Sequence, residues 1–174
     1  RIRLKAVLGH NETDTIQSNE EPLMKLSLRP ITQDNWRVCI ALEVAEAQQN
    51  FVAPNVRSLA QAAYETMWQP HGVYLDDEMV GFAMYGIYNY EGRDIWDITR
   101  LMIDKAHQGK GYGTQAMHLI LDAMRAEAPQ IQEVYISFVP ENATARHVYS
   151  KIGFVEDGMM HGEIVMQRKL GDTN

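Results

Sequence analysis

Apolar and polar residues alternate with two different periods along this chain, and the changes of period predict its helices and strands. Where apolar residues recur at every second position between turn residues, a strand is predicted. Where they recur at i, i+3, i+4 and i+7, as Met117, Ile120, Leu121 and Met124 do, a helix with one buried face is predicted. The predicted strands are residues 25–31, 72–75, 79–87, 95–103, 134–139, 154–157 and 163–169, and the predicted helices are residues 33–49, 58–68, 111–128 and a helix that Asn142 caps.

The predicted order of elements, βααβββαβαββ, indicates one α/β (α+β) domain over residues 24–174. This order matches a mixed, mainly antiparallel sheet with helices on both faces. Ser58 is expected to cap the second helix, and Asp76 and Asp77 lie in the turn of a hairpin. Residues 1–23 differ from the rest, because their central part is polar and has no periodicity. We expect a flexible leader or an expression-derived segment there.

Composition and charge narrow the class of function. The 174 residues are 45% apolar and 22% charged, as in a soluble domain with a sizeable core. The net charge of −7 argues against nucleic acid as a partner, and no apolar run reaches the roughly twenty residues that span a membrane. The single Cys39 excludes an internal disulfide and favours a reducing, cytoplasmic location. The six histidines have no metal-binding spacing, so no metal is expected.

The most informative stretch is the glycine turn at residues 108–113, with the sequence QGKGYG, between a predicted strand and a predicted helix. Its glycines allow the backbone to turn sharply and to approach a ligand closely. The turn also presents free N–H groups at a helix N-terminus, where the macrodipole favours negative charge. Strand, turn and helix together predict a pyrophosphate site. Neither the dinucleotide-binding pattern nor the P-loop pattern is present.

The pattern Gln-x-x-Gly-x-Gly in this turn resembles the acetyl-CoA signature of the GCN5-related N-acetyltransferases, the GNAT family. About thirty residues later, a second segment resembles the family's N-x-x-A-x-x-x-Y-x-x-x-G-F motif, through Asn142, Ala145, Tyr149, Gly153 and Phe154. The resemblance covers roughly residues 26–170 and implies the GNAT acyl-CoA N-acyltransferase fold. In that fold the strands before and after the turn splay apart, and the cofactor lies in the gap.

The resemblance implies that acetyl-CoA is the co-substrate. The pyrophosphate is expected on the backbone of the glycine turn, and the strand before it is expected to offer backbone groups to the pantetheine arm. Asn142 is expected to bind that arm or to cap its helix, and the two roles can coexist. The cofactor-binding residues implied are Leu101, Met102, Ile103, Gln108, Gly109, Lys110, Gly111, Tyr112, Gly113, Thr114 and Asn142.

The reaction implied is attack of an amine on a thioester, for which an alkylammonium with a pKa of about 10.4 must first lose a proton. By the same resemblance, Tyr149 is the general acid that protonates the leaving thiolate. Its helical spacing alone would place it in the core. Asp97 is the candidate base, acting through water. The alternatives are a strand-end carboxylate paired with Arg93 or Arg100, and no dedicated base at all.

The acceptor is the least determined part. Segments 49–55 and 80–85 resemble the bacterial spermine/spermidine (diamine) acetyltransferase branch, which implies a polyamine acceptor and a homodimer. On a continuous helix Glu43 lies within the apolar stripe, so it either binds a substrate ammonium, with Trp36, Tyr85 and Tyr88 as walls, or reaches past the edge of the stripe to solvent. The alternatives are another small amine, an aminoglycoside, a protein N-terminus, or an acyl-CoA-binding module without turnover.

Overall fold

The computed structural model describes residues 25–171, and over this range the elements follow the predicted order. The predicted leader at residues 1–23 lies outside the described residues. Two short 3-10 helices, Glu46–Gln48 and Lys105–His107, add to the predicted elements. The strands are β1 Leu26–Pro30, β2 Trp68–Leu75, β3 Glu78–Tyr90, β4 Arg93–Ile103, β5 Glu133–Phe138, β6 Val155–Met160 and β7 Glu163–Lys169, and the helices are α1 Trp36–Ala41, α2 Asn55–Tyr64, α3 Tyr112–Glu127 and α4 Ala143–Lys151.

All seven strands belong to one sheet in the order β1-β2-β3-β4-β5-β7-β6. Every neighbouring pair is antiparallel except β4 and β5, which run parallel. A parallel pair needs a crossover connection, and α3 supplies it here. The prediction of a mixed, mainly antiparallel sheet is therefore confirmed.

The two faces of the sheet pack against different helices, as predicted. Successive strand residues point to opposite faces, so alternate residues of β3 enter two separate cores. Ala83 and Tyr85 belong to the larger core, which includes residues of α3 and α4. Phe82 and Met84 belong to a smaller core under α1 and α2, together with Cys39. Cys39 is fully buried, and burial raises the pKa of its thiol to about 12.

The prediction of one long helix over residues 33–49 is wrong, because α1 ends at Ala41. Leu42 is extended, with ψ of 138°. The backbone N–H of Glu43 donates to Asp104 Oδ2 at 2.9 Å, and the backbone N–H of Lys105 donates to the Glu43 carbonyl at 2.7 Å. These long-range hydrogen bonds hold the chain against the end of β4 and replace the next turn of helix. Side-chain periodicity alone gives no sign of them.

The second helix begins earlier than predicted, so Ser58 is not its cap. α2 starts at Asn55, directly after Pro54, and Ser58 is fully buried within it. Asn55 is also buried, and its side-chain amide donates to the Cys39 carbonyl at 2.9 Å, which ties α2 to α1. Trp68, the predicted last residue of this helix, is the first residue of β2.

The parallel strands β4 and β5 stay together over only three residue pairs. Trp96 is opposite Val134, Asp97 is opposite Tyr135, and the last pair ends the contact at Ile98. Beyond that pair β4 continues on β3 and β5 continues on β7. A bulge between Met84 and Tyr85 disrupts the β3–β4 register at the same level, and bulges increase the local twist. A gap therefore opens between the carboxyl ends of β4 and β5.

Candidate active site

A cavity of about 930 Å³ occupies this gap. Its walls come from the separated ends of β4 and β5, the turn before α3, the start of α4 and residues 48–54 between α1 and α2. This volume is within the range of small-molecule sites. The predicted cofactor residues and Tyr149 line the same cavity, with the exception of Lys110.

The glycine turn presents an open helix N-terminus to this cavity. Gly109 and Gly111 have φ of 77° and 78°, the left-handed region that favours glycine. Gly111 is the N-cap of α3 and offers no side chain to satisfy the first amides. A bond from the Gln115 N–H to the Gly111 carbonyl at 3.2 Å leaves the amides of residues 112–114 free of helical acceptors. The geometry fits an anionic phosphate group.

Lys110 and Gln108 have different roles from the backbone beside them. Lys110 is exposed, and its ammonium donates to the Ala106 carbonyl at 3.4 Å. The Gln108 side-chain amide donates to the Ile103 carbonyl at 2.9 Å and to Gln48 Oε1 at 2.7 Å. Gln108 therefore ties the turn to the end of β4 and to the α1–α2 connection.

The end of β4 supplies an unpaired backbone edge along the cavity. Residues 100–103 pair with β3 on one side but have no strand partner toward β5. Leu101, Met102 and Ile103 line the cavity, and the last two have buried side chains. Backbone groups that lack a strand partner are available to a linear amide-containing ligand in the manner of an added strand.

Tyr149 lies at the bottom of the cavity and is only 8% exposed. Its ring packs edge-on against Phe138, with ring centres 5.7 Å apart, and leans against Phe154 at 6.1 Å. Among the described residues its hydroxyl has no hydrogen-bond partner. Burial raises its pKa well above the usual range, which keeps the phenol protonated at neutral pH. The side chain therefore packs in the core and also presents a proton donor to the cavity.

Asn142 caps α4 and lines the cavity at the same time. Its side-chain oxygen accepts a hydrogen bond from the Ala145 N–H at 3.0 Å. The amide nitrogen of the Asn142 side chain is not used in that bond. The predicted capping role is present, and the second role on the pantetheine arm stays a prediction.

Asp97 lies one residue before the strands separate, and it is not part of the cavity lining. It has no ion-pair partner within 4 Å among residues 25–171, and Arg93 pairs with Glu133 instead at 3.1 Å. Burial raises the pKa of Asp97 to about 6, against the opposing charge of Arg100, and the charge of Glu163 adds to the rise. A carboxyl with this pKa is poised to accept a proton near neutral pH.

The structure places Glu43 outside the cavity, on the surface. Its side chain is 65% exposed, and its carboxylate bonds the Lys105 ammonium at 2.6 Å. The expectation that Glu43 holds a substrate ammonium depended on a continuous helix, which ends two residues earlier. Glu43 instead links the α1–α2 connection to the chain just after β4, through its hydrogen bonds with Asp104 and Lys105.

The predicted aromatic walls also lie away from the cavity. Tyr85 is 2% exposed in the α3 core, where it stacks on His71 at 5.1 Å and meets Trp96 edge-on at 6.1 Å. Trp36 begins α1 under the Arg37 guanidinium, and Tyr88 is 40% exposed near the end of β3. None of these rings lines the cavity. Neighbouring residues of a strand point to opposite faces of the sheet. Met84 faces α1 and α2, so Tyr85 faces the α3 core and does not reach the cavity.

Three charged residues line the cavity that sequence reasoning did not assign to a site: Arg57 of α2, Arg100 of β4 and Glu163 of β7. The carboxylate of Glu163 accepts a hydrogen bond from the Ser137 hydroxyl. The three residues are far apart in the chain, so spacing could not group them. The one local signal is Arg100, a charge within an apolar strand.

Comparison with protein families identifies this arrangement. The model described as "Acetyltransferase (GNAT) family" matches residues 28–154. The chain belongs to this family. The match spans both motifs of the sequence analysis as far as Phe154, so the expected family and the expected acetyltransferase class are confirmed.

Two *Bacillus subtilis* relatives are similar over their full length. A spermine/spermidine N(1)-acetyltransferase of strain 168 and a probable spermine N(1)-acetyltransferase of the natto strain BEST195 are each 30% identical over 155 residues, which cover 84% of this chain. The crystal structure of spermidine N-acetyltransferase from *Vibrio cholerae*, in complex with CoA and spermine, has a TM-score of 0.65 at 20% identity. That match covers 83% of this chain and 95% of the *Vibrio* chain, and it confirms the GNAT fold.

Within residues 25–171, no group of three or more His, Cys, Asp or Glu side chains is placed to hold a metal ion. In the same range no helix is both long and apolar enough to cross a membrane.

Proposed function

We propose that this protein transfers the acetyl group of acetyl-CoA to a primary amine of a polyamine such as spermine or spermidine. The observation that carries the proposal is one cavity that joins an anion-binding helix N-terminus to a buried, unpaired tyrosine hydroxyl. Acetyl-CoA has a pyrophosphate for the first and a thioester for the second. The unpaired edge of β4 between them suits the amide-containing pantetheine arm.

In the proposed mechanism one protein group accepts a proton from the substrate amine, and a second donates a proton to the leaving thiolate. Asp97 accepts a proton from the substrate ammonium through water, since it lies one residue beyond the cavity wall. The free amine then attacks the thioester carbonyl, the carbon–sulfur bond breaks, and the electron pair leaves on sulfur. Tyr149 gives its proton to that sulfur, and the second proton that the nitrogen loses on becoming an amide returns to the tyrosine oxygen. Burial also raises the pKa of the leaving thiol, so the sulfur becomes a better proton acceptor and this offsets the weaker acidity of the buried phenol.

The polyamine acceptor is supported by the relatives and by charge near the reacting end. Both *Bacillus* proteins carry a spermine acetyltransferase name. Two carboxylates, Asp97 and Glu163, lie near enough to each other to raise the pKa of Asp97. These two carboxylates can each pair with one ammonium group of a flexible polyamine. They take the role that the sequence analysis gave to Glu43, which lies on the surface.

A thiol-release assay tests the proposal. With acetyl-CoA and either spermine or spermidine, we expect amine-dependent release of coenzyme A and a monoacetylated product by mass spectrometry. Acetylation of other primary amines but neither polyamine would refute the acceptor and leave the acetyltransferase assignment intact. If no amine in the panel gives thiol release, the alternative of an acyl-CoA-binding module without turnover is favoured.

The pH profile tests Asp97 as the base. The carboxylate form is needed, and its pKa is raised to about 6. Asp97 takes its proton from the bound ammonium, so we expect log kcat/KM for the amine to rise with slope one below about pH 6 and to level off between pH 6 and the acceptor pKa. Asp97→Asn should lower the rate and remove the break near pH 6. Asp94→Asn, a change of an exposed carboxylate at the start of β4, is the matched control.

Folding stability separates this role from a structural one. A raised pKa means that the folded state disfavours the ionised carboxyl, so stability falls as pH rises from about 4 through 6. Asp97→Asn should consequently raise the free energy of unfolding at pH 8 while it lowers the rate. A variant that is less stable at pH 8 and has the wild-type break in its profile would contradict the assignment.

The homodimer stays a prediction. It is supported by the exposed side chains of Val155, Met159 and Met160 on the edge strand β6, which are 59%, 65% and 45% exposed. Exposed apolar residues on an edge strand are a common place for chain pairing.

A further inference from the structure

Two guanidinium groups face the acceptor side of the cavity, where the proposed polyamine would bring positive charge. Arg57 lies in the first turns of α2, and Arg100 lies in β4 just beyond the point where β4 and β5 separate. Burial lowers the pKa of Arg100 and the nearby charge of Arg57 lowers it further, while the carboxylates of Glu163 and Asp97 act in the opposite direction without forming an ion pair with Arg100 within 4 Å. Like charges that line one cavity are unfavourable unless an anion lies between them.

Neither arginine has a carboxylate partner among residues 25–171. Arg100 donates to the Thr99 carbonyl and hydroxyl, and weakly to Gln61 Oε1 at 3.4 Å. Its buried Nε has no hydrogen-bond partner. Arg57 forms no ion pair in this part of the chain, although most other arginines here do. A buried guanidinium nitrogen without an acceptor is costly, and a ligand oxygen would remove that cost.

The pyrophosphate of acetyl-CoA is not the anion that this pair would bind. Arg100 is three residues before Ile103, the end of β4, which is about 10 Å along an extended strand. The glycine turn lies beyond that end, after a further 3-10 helix. The pair is instead at the reacting end of the cavity, close to Asp97 in β4.

We propose that the acceptor site takes, as a second substrate class, primary amines that also carry a carboxylate. The carboxylate binds between Arg57 and Arg100, and the amine at the other end of the molecule reaches the thioester. Guanidinium and carboxylate match in geometry and form short, charge-assisted hydrogen bonds. The bonds made and broken are those of the acetyl transfer proposed above, on which this inference rests, and the products are an N-acetylamino acid and coenzyme A.

Three amines of equal chain length isolate the distal group: 4-aminobutyrate, n-butylamine and 1,4-diaminobutane. With the wild-type protein we expect kcat/KM for 4-aminobutyrate to exceed that for n-butylamine by at least about tenfold, the lower end of what a charge-assisted hydrogen bond contributes. The distal ammonium of 1,4-diaminobutane is expected at the Glu163 carboxylate and not between the two arginines, so its kcat/KM should not fall when the arginines are replaced. A dipeptide of lysine and an acidic residue is assayed beside 4-aminobutyrate. Its kcat/KM shows whether the carboxylate can belong to a peptide or must belong to a free amino acid.

Replacement of both arginines tests whether they cause the preference for 4-aminobutyrate. Arg57→Gln with Arg100→Gln should reduce the ratio of kcat/KM for 4-aminobutyrate to that for n-butylamine to about one, since the distal charge then has no partner. Arg93→Gln changes an arginine of the same strand that pairs with Glu133, and it should keep the wild-type ratio. Because both rates come from one protein preparation, partial unfolding cancels in the ratio.

The outcomes separate this inference from the proposed function. A wild-type ratio near one, with spermine acetylated, overturns the carboxylate class and retains the polyamine. A high ratio that survives in the double variant overturns the assignment to Arg57 and Arg100. If no amine is acetylated, the proposed acetyl transfer fails, and the carboxylate class fails with it.

Discussion

Tyr149→Phe is expected to lower kcat by about 10²–10⁴-fold, the usual contribution of a general acid. The change removes one hydroxyl and keeps the ring, so contacts with Phe138 and Phe154 remain. The hydroxyl has no partner among the described residues, so its loss leaves no protein group unsatisfied. We therefore expect the KM for acetyl-CoA and the thermal midpoint to stay close to the wild-type values.

Steady-state kinetics and a thermal melt check this prediction. Tyr74→Phe is a matched control, since it removes the hydroxyl of another buried tyrosine, one that contacts Asn35 at 3.3 Å and lies outside the cavity. The control should keep its turnover. A decrease of less than threefold in Tyr149→Phe would show that Tyr149 serves packing alone.

Much of the fold was predictable because the elements are locally encoded. The alternation in β3 and β4 and the 3.6-residue period of α3 each come from side chains that face one core, and the order βααβββαβαββ followed from them. The glycine turn was equally local, since the conformation of Gly111 and the start of α3 depend on adjacent residues. Asn142 caps α4 as its position indicated.

The errors arose where distant residues decide the outcome. α1 stops at Ala41 because Asp104 and Lys105, some sixty positions away in the chain, take the hydrogen bonds of Glu43. The helical wheel that put Glu43 in an apolar stripe had no information about this contact. Tyr85 was placed on a wall because a sequence does not tell which face of a central strand borders a cavity.

The acceptor side was the least predictable part for the same reason. Arg57, Arg100 and Glu163 come from α2, β4 and β7, and only the folded sheet with its helices brings them to one cavity. Arg57 and Glu163 look like ordinary surface charges in the sequence, and only Arg100, a charge within an apolar strand, gives a local signal. The glycine turn and the Asn142 segment are local motifs, while the acceptor side depends on side chains that spacing does not group.

Gly111→Val is expected to weaken binding of acetyl-CoA by about 100-fold, equivalent to loss of one or two charge-assisted hydrogen bonds. Gly111 has φ of 78°, and a Cβ built there meets no protein atom within 4 Å. The new side chain would therefore project into open space beside the free amides of α3, where the pyrophosphate is proposed to bind. Valine also disfavours the left-handed conformation that presents those amides.

Gly92→Val is the control variant for the effect of backbone strain alone. Gly92 has φ of 83°, equally open surroundings, and a position between β3 and β4 outside the cavity. Both variants should lose similar stability in a thermal melt, but only Gly111→Val should lose affinity for coenzyme A by calorimetry. Equal affinity in the two folded variants would mean that the amides at residues 112–114 do not hold the pyrophosphate, and the binding site would then have to lie elsewhere along the cavity.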